Sequence, residues 1–310
     1  MSLSARRTQF LRRADAVAAG YTDAELARRV RRGELARVQR GTYVTDPSSL
    51  PVEAAAWHAL VVSSTLAGLR SPSVACSLSA AALHGLPLWR IRLDQVHVLR
   101  RPPAAGNGSR RLRVHTARVT DAELTEIDGV AVTDLTRTVV DVARSVPFES
   151  AVVIADYALR TRRTSRERLE ECLGRMGPVP GSRAAARVVA FADPLSESVG
   201  ESRSRVLIHR LALPTPDLQV RVLRDDRSEV GRCDFGWEEY RTVGEFDGRI
   251  KYGRLLRPGQ APGDAVFEEK RREDELRDHR WQVARWTWDD LERPGLVDAR
   301  IRRAFARGRR

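Results

Sequence analysis

Residues Cys233–Lys251 read CDFGWEEYRTVGEFDGRIK, and the fold of the C-terminal third turns on this stretch. Its residue pattern predicts two short strands, Arg232–Trp237 and Thr242–Asp247, joined by a polar turn. Side chains alternate along a strand, so Glu245 and Asp247 share one face and Phe246 takes the other. Pairing of the two strands would bring Asp234 beside Glu245. Three carboxylates converging there repel one another unless a cation neutralises them, and such an oxygen-rich site suits Mg²⁺ or Mn²⁺. Unpaired buried carboxylates are costly. Asp234 and Glu245, on otherwise apolar strands, are therefore either functional or salt-bridged, with Arg232 and Arg249 as candidate partners.

Outward from this stretch, Val199–Leu211 reads as a helix with Glu201 in its first turn, where an acid also satisfies the helix dipole. Leu218–Leu223 is a strand, Ala265–Asp278 a long charged helix and Gln282–Trp288 an alternating strand, giving the order αβββαβ. The run Gly177-Pro178-Val179-Pro180-Gly181 is the clearest break in the chain, and it sets off a last domain at residues 182–310. Before it, residues 52–176 form an α+β section. Helices are expected over Glu53–Ala67, Pro72–His84 (Ser71 as cap, Pro72 in the first position), Asp134–Ala143 and Phe148–Arg160. Gln95–Arg100 and Arg111–Ala117 read as a hairpin, with Val130–Thr133 as a third strand. His97 and His115 sit on the hairpin strands. They could come near each other and hold a metal, but without carboxylate or thiol companions at ligand spacing they read as ordinary histidines. This section is a scaffold open to dimerisation or to a protein partner.

Residues 1–48 make a first domain. Phe10, Leu11, Ala14, Val17 and Ala18 have helical spacing, and Gly20 stops that segment. Thr22-Asp23-Ala24-Glu25 is a capping-box pattern that starts a second helix. Leu26 and Val30 share one face of it, and Arg28, Arg29, Arg31 and Arg32 lie on the others. Leu35–Val38 and Thr42–Val44 form a tight hairpin around Arg40-Gly41. Helices followed by a basic hairpin describe a winged helix-turn-helix. Its arginine-bearing helix enters the major groove, and Arg37 and Arg40 of the wing touch the backbone. The plain alternative is a solvated basic face.

The 310 residues carry 54 Lys+Arg against 41 Asp+Glu, a formal net charge of +13. That surplus favours a polyanionic partner, and nucleic acid before all. No segment approaches the roughly 20 apolar residues of a spanning helix, and the N-terminus lacks the apolar run of a signal peptide. Cys76, Cys172 and Cys233 lie too far apart in sequence for a metal box or a disulfide framework. The expectation is a cytoplasmic protein that binds DNA and no membrane.

Two resemblances sharpen this reading. Ala14–Val44, with its core RRGxLxRVxRGxYV, is similar to the N-terminal domain of AbiEi-type antitoxins, transcriptional autoregulators of abortive-infection toxin–antitoxin pairs. The run ALHGLPLW, residues 82–89, resembles the linker and C-terminal region of AbiEi-like proteins. In the last domain ESRSRVLIHRL, VGRCDFGW, VGEFDGRIKYG and EKRREDELRDHRWQVARWTW resemble the PD-(D/E)XK nucleases. The branch concerned is an uncharacterised endonuclease-like family akin to the very-short-patch-repair enzymes. This second resemblance implies that Asp234 and Glu245 bind Mg²⁺ or Mn²⁺, that Glu201 orients a ligand, and that phosphodiesters are hydrolysed with metal assistance. The chain departs from the pattern two positions after Glu245, where Asp247 stands in place of lysine. Lys251 or Lys270 could take the water-activating role, and Asp247 could be a third metal ligand.

The expected architecture is an α/β multidomain chain: a winged helix-turn-helix, an α+β scaffold and a restriction-endonuclease-like αβββαβ domain. The expected function is a DNA-binding protein with a divalent-metal-dependent endonuclease-like domain. The alternative is a non-enzymatic, antitoxin-like autoregulator of a toxin–antitoxin pair with a lapsed nuclease fold. A cognate toxin and a second copy of the chain are the protein partners considered.

Overall fold

The computed structural model describes residues 10–103, 108–224, 226–248 and 271–309. The chain is a mixed α/β protein that divides into two compact units, residues 1–154 with 162–190 and residues 155–161 with 191–310.

The first unit begins with β1 (Phe10–Arg12), α1 (Arg13–Ala18), α2 (Asp23–Arg31), β2 (Ala36–Gln39) and β3 (Thr42–Val44). Thr22 caps α2, its hydroxyl accepting the Glu25 N–H at 3.2 Å. Gly33, at φ 71°, ends the helix, and the Glu34 N–H reaches back to the Arg29 carbonyl at 3.0 Å. Phe10–Arg12 was expected to be helical. It is a strand on the free edge of β3, with Phe10 opposite Val44 and Arg12 opposite Thr42. An edge strand offers a row of unpaired backbone groups, and pairing with it outweighs a few residues of helical spacing. Ala16, Leu26 and Leu35 close a small core beneath.

The rest of the unit comprises α3 (Ala54–Leu66), β4 (Val74–Ala75), α4 (Ser77–Leu83), β5 (Val96–Arg100), β6 (Leu112–Thr116), β7 (Leu124–Ile127), β8 (Val130–Thr133), α5 (Leu135–Ala143), α6 (Phe148–Arg160), α7 (Arg166–Met176) and α8 (Ser182–Phe191). The strands form one sheet in the order β6-β5-β4-β8-β7. Val62, Ala75, Ala80, Val96, Val98 and Val132 fill its core. Two expectations are corrected here. β5 and β6 are parallel, Val96 opposite Leu112 and Leu99 opposite His115, and so are no hairpin. The connection between them is long enough to return the chain to the same end of the sheet. The helix expected over Pro72–His84 starts only at Ser77, because Val74 and Ala75 are drawn into the sheet between β5 and β8.

The second unit holds α9 (Val199–Arg210), β9 (Asp217–Leu223), β10 (Glu229–Trp237), β11 (Thr242–Asp247), a helical stretch at 271–278, β12 (Gln282–Thr287), α10 (Trp288–Leu291) and α11 (Pro294–Gly308). The sheet runs β12-β11-β10-β9, antiparallel except that β12 is parallel to β11. One core gathers Phe235, Trp237, Phe246 and Trp286 with Leu207 and Ile208 of α9 and Val297 and Ile301 of α11. The other gathers Val222, Cys233, Val243, Leu276 and Trp281. In a regular strand Leu218 and Val222 would share a face, yet Leu218 packs with the first core and Val222 with the second. Gln219, between them, has φ 54°. On β10 the same change of face falls between Cys233 and Phe235. Asp234 therefore sits at the switch.

Candidate nucleic-acid interface and carboxylate cluster

On α2, Arg28 and Arg31 are exposed, as is Arg32 at its C-cap, and Arg29 is half-buried. The Arg29 guanidinium lies over the Tyr21 ring, 4.7 Å from its centroid. Glu34 stands 3.9 Å from both Arg29 and Arg32. Arg28 and Arg31 have no carboxylate partner among the described residues. The hairpin adds the exposed Arg37 and Arg40. It is tied to α3 through Gln39, whose Nε2 donates to the Ser64 hydroxyl at 2.9 Å and whose Oε1 accepts from the Thr65 hydroxyl at 3.3 Å.

That tie forms a groove of about 710 Å³ in which Arg37 and Arg40 face Arg110 and Arg111, from the turn that leads into β6. Sequence reasoning passed over Arg110 and Arg111. Their one local signal was a doubled arginine after Gly108-Ser109. Four guanidinium groups on two walls of one groove can take successive phosphates of a backbone.

In the second unit, the described pairing of β10 with β11 ends at Phe235–Gly244. Beyond it the Asp234 carboxylate, not a carbonyl, accepts the Phe246 N–H at 2.8 Å. Asp234 is thus bonded to the backbone one residue beyond Glu245. Glu245 is 8% exposed. Its Oε1 accepts from Arg272 at 2.6 Å and its Oε2 from Arg285, its register partner on β12, at 2.7 Å. Arg285 also meets Glu273 at 2.9 Å. Arg232, a candidate partner for these acids, instead holds Glu197 through two 2.9 Å bonds. Burial, followed by the charge of Glu245, pushes the Cys233 thiol up to about 12.

Glu201 is buried in the first turn of α9. It accepts from the Ser198 hydroxyl at 2.7 Å, the Glu197 N–H at 2.8 Å and Gln219 Nε2 at 2.9 Å. Asp247 is half-buried opposite Thr287. Lys251, Lys270 and Arg249 lie outside the described residues. The candidate metal ligands do not fit a divalent ion as they stand, since both Glu245 oxygens are held by guanidinium groups. Among the described residues, no three His, Cys, Asp or Glu side chains form a group that could hold a metal. The arrangement is an ion-pair hub. Trp237 and Trp286 are core residues whose indole N–H groups donate to the Pro214 carbonyl and the Ser204 hydroxyl, both at 2.7 Å.

His97 and His115 do meet, through the parallel register, with Nδ1 and Nε2 3.2 Å apart. Burial, then His115, pushes His97 down to about 4. Two neutral rings sharing one proton need no metal between them.

Residues 1–45 match the family of AbiEi antitoxin transcriptional regulators, so an AbiEi antitoxin-like regulator domain stands at the N-terminus. Over 293 residues the chain is 30% identical to the uncharacterized protein Rv2248 of Mycobacterium tuberculosis strain H37Rv and to MT2308 of strain CDC 1551, covering 93% of this chain and 98% of each relative. A crystal structure of the RV2827C protein from Mycobacterium tuberculosis is similar at a TM-score of 0.40 and 16% identity, over 64% of this chain and 76% of that one. No helix among the described residues is long and apolar enough to cross a membrane.

Proposed function

The chain belongs to the same family as the Mycobacterium tuberculosis proteins Rv2248 and MT2308, and we propose that it acts as a DNA-binding transcriptional regulator of the antitoxin type. Its first 48 residues form a winged helix-turn-helix in this reading. Arg28, Arg31 and Arg32 enter the major groove with α2, and Arg37 and Arg40 contact phosphates. The observation that carries the reading is that Arg28 and Arg31, on the domain that matches the regulator family, are exposed and have no carboxylate partner among the described residues. A cognate toxin held by another part of the chain, a homodimer on a two-fold operator and a cytoplasmic location complete the proposal.

The test is fluorescence anisotropy on a DNA duplex from about 50 to 200 mM salt. The log–log slope is about −0.9 per phosphate contact, so Arg28→Ala/Arg31→Ala flattens it by about 2. An unchanged slope moves the binding surface elsewhere.

A second reading is favoured by the Asp234 carboxylate on the Phe246 N–H, one residue beyond Glu245, and by Glu201 linked to β9 through Gln219. It makes the second unit a Mg²⁺- or Mn²⁺-dependent nuclease of the PD-(D/E)XK kind. That would require Arg272 and Arg285 to release Glu245. Calorimetric titration of Mg²⁺ and Mn²⁺ into the full chain, wild type against Asp234→Ala, tests it. Binding that is lost in the variant supports a metal site, and no binding in either protein removes it.

A further inference from the structure

A cleft of about 990 Å³ opens in the first unit beside β6, α5 and α7, lined by no residue of α2 or of the β2–β3 hairpin. Five guanidinium groups face it: Arg113 and Arg118 on β6 and just after it, Arg137 on α5 and Arg144 at its C-cap, and Arg175 on α7. Three are already matched. Arg137 Nε and Arg144 Nη1 donate to the two oxygens of Asp141 at 3.0 and 3.1 Å, and Arg137 Nη1 reaches Glu123 at 3.3 Å. Arg175 stands 3.9 Å from Glu171. Arg113 and Arg118 are exposed and have no carboxylate partner among the described residues.

The matched arginines build the wall that the unmatched ones stand on. Arg144 also donates twice to the Pro180 carbonyl, at 3.0 and 2.8 Å, which fixes the far rim. Gly181 at that rim cannot carry a side chain, since a Cβ would lie 2.3 Å from the Arg144 carbonyl oxygen. Cys76 and Ser77 also line the cleft. Ser77 is a buried, non-glycine residue at φ 49°. Such strain persists only where the surroundings hold it in place, and it gathers at ligand sites. The Ser77 hydroxyl makes no hydrogen bond among the described residues, so it is a polar group on the cleft wall without a protein partner.

We propose that this cleft binds a phosphate-bearing ligand of about nucleotide size, with Arg113 and Arg118 on the phosphate and the Ser77 hydroxyl as a further hydrogen-bonding group. Two unmatched guanidinium forks suit the near-double negative charge and the three acceptor oxygens of a phosphate monoester. The volume is that of a small-molecule pocket. The source of the phosphate is either a free nucleotide or the 5′ end of a nucleic-acid strand.

Three probes titrated into the full chain by calorimetry test the site: pyrophosphate, adenosine 5′-monophosphate and a short 5′-phosphorylated oligonucleotide. One saturable site is expected. Arg113→Ala/Arg118→Ala weakens it by roughly tenfold or more, and Ser77→Ala by about threefold. Arg28→Ala/Arg31→Ala leaves pyrophosphate affinity unchanged, which separates this cleft from the proposed DNA surface. Arg118→Ala alone, at an exposed side chain, gives a partial loss without disturbing the fold. Whichever of the nucleotide and the oligonucleotide binds more tightly identifies the source. Absence of saturable binding with all three probes overturns the proposal, and so does equal affinity in wild type and Arg113→Ala/Arg118→Ala.

Discussion

Replacing Glu245 by glutamine separates an ion-pair hub from an empty metal site, because the two predict opposite signs. In a cluster of ligating carboxylates without a cation, removing one negative charge relieves repulsion and stabilises the fold. In the structure, Glu245 instead meets Arg272 and Arg285, whose side chains are 26% and 31% exposed. Each contact is worth about 4 kcal/mol gross at an effective dielectric near 20, much of it offset by desolvation. Breaking a buried pair by removing one partner costs about 3–5 kcal/mol. With both arginines partly open to water, about 2–3 kcal/mol remains. For a unit of this size that lowers Tm by about 10 °C. The assay is unfolding followed by tryptophan fluorescence in the presence of a chelator, read for Glu245→Gln, Arg285→Met and the double variant. The double variant should lose less than the sum of the singles, with a coupling of about 1 kcal/mol or more. A Glu245→Gln protein as stable as wild type, or more so, refutes the ion-pair account and restores the metal site.

Three further outcomes are expected. Gly200→Ala places a Cβ 1.9 Å from Phe246 Cε1, so α9 must shift off the sheet at a cost of about 1–3 kcal/mol, checked by urea unfolding. Burial, with His115, Arg113 and His58 adding to it, holds His97 near 4 against an ordinary 6.5. Its contribution is complete above about 6.5 and is lost as pH falls toward 4, by on the order of 3 kcal/mol. His97→Asn should flatten that fall between pH 7 and 4.5, and parallel curves for the two proteins would argue against it. Arg110→Ala/Arg111→Ala should reduce the salt slope of DNA binding by up to about 2, and an undiminished slope would confine the interface to the first domain.

Local pattern made much of the second unit legible. Thr242–Asp247 is a strand over the residues expected, since its alternating Val243, Phe246 and neighbouring glycines suit a sheet buried on both faces. What the pattern could not supply were partners distant in sequence. Arg285 meets Glu245 only because β12 runs parallel to β11, and Arg272 only because the stretch 271–278 crosses that face. The geometry at Gln219 and Asp234 was hidden for a different reason, because a left-handed backbone at a glutamine leaves no mark in composition. The β7–β8 hairpin, by contrast, carried a readable signal. Asp128-Gly129, both with positive φ, is the two-residue turn that such hairpins prefer.

The surplus positive charge is not spread evenly, and its distribution bears on which unit handles nucleic acid. Residues 1–190 carry 29 Lys+Arg against 18 Asp+Glu, whereas residues 191–310 carry 25 against 23. In the second unit arginines are drawn into pairs: Arg203 with Glu292, Arg205 with Asp156, Arg232 with Glu197, Arg300 with Asp290, and two on Glu245. Such pairs fix a fold and present little net field to a polyanion. In the first unit Arg28, Arg31, Arg113 and Arg118 have no such partners among the described residues, and only charges left unmatched by the protein release counterions when phosphate arrives. A regulator that binds through its first 190 residues accounts for that asymmetry. A nuclease acting through the second unit would have to draw its substrate onto a segment whose 25 basic and 23 acidic residues nearly balance.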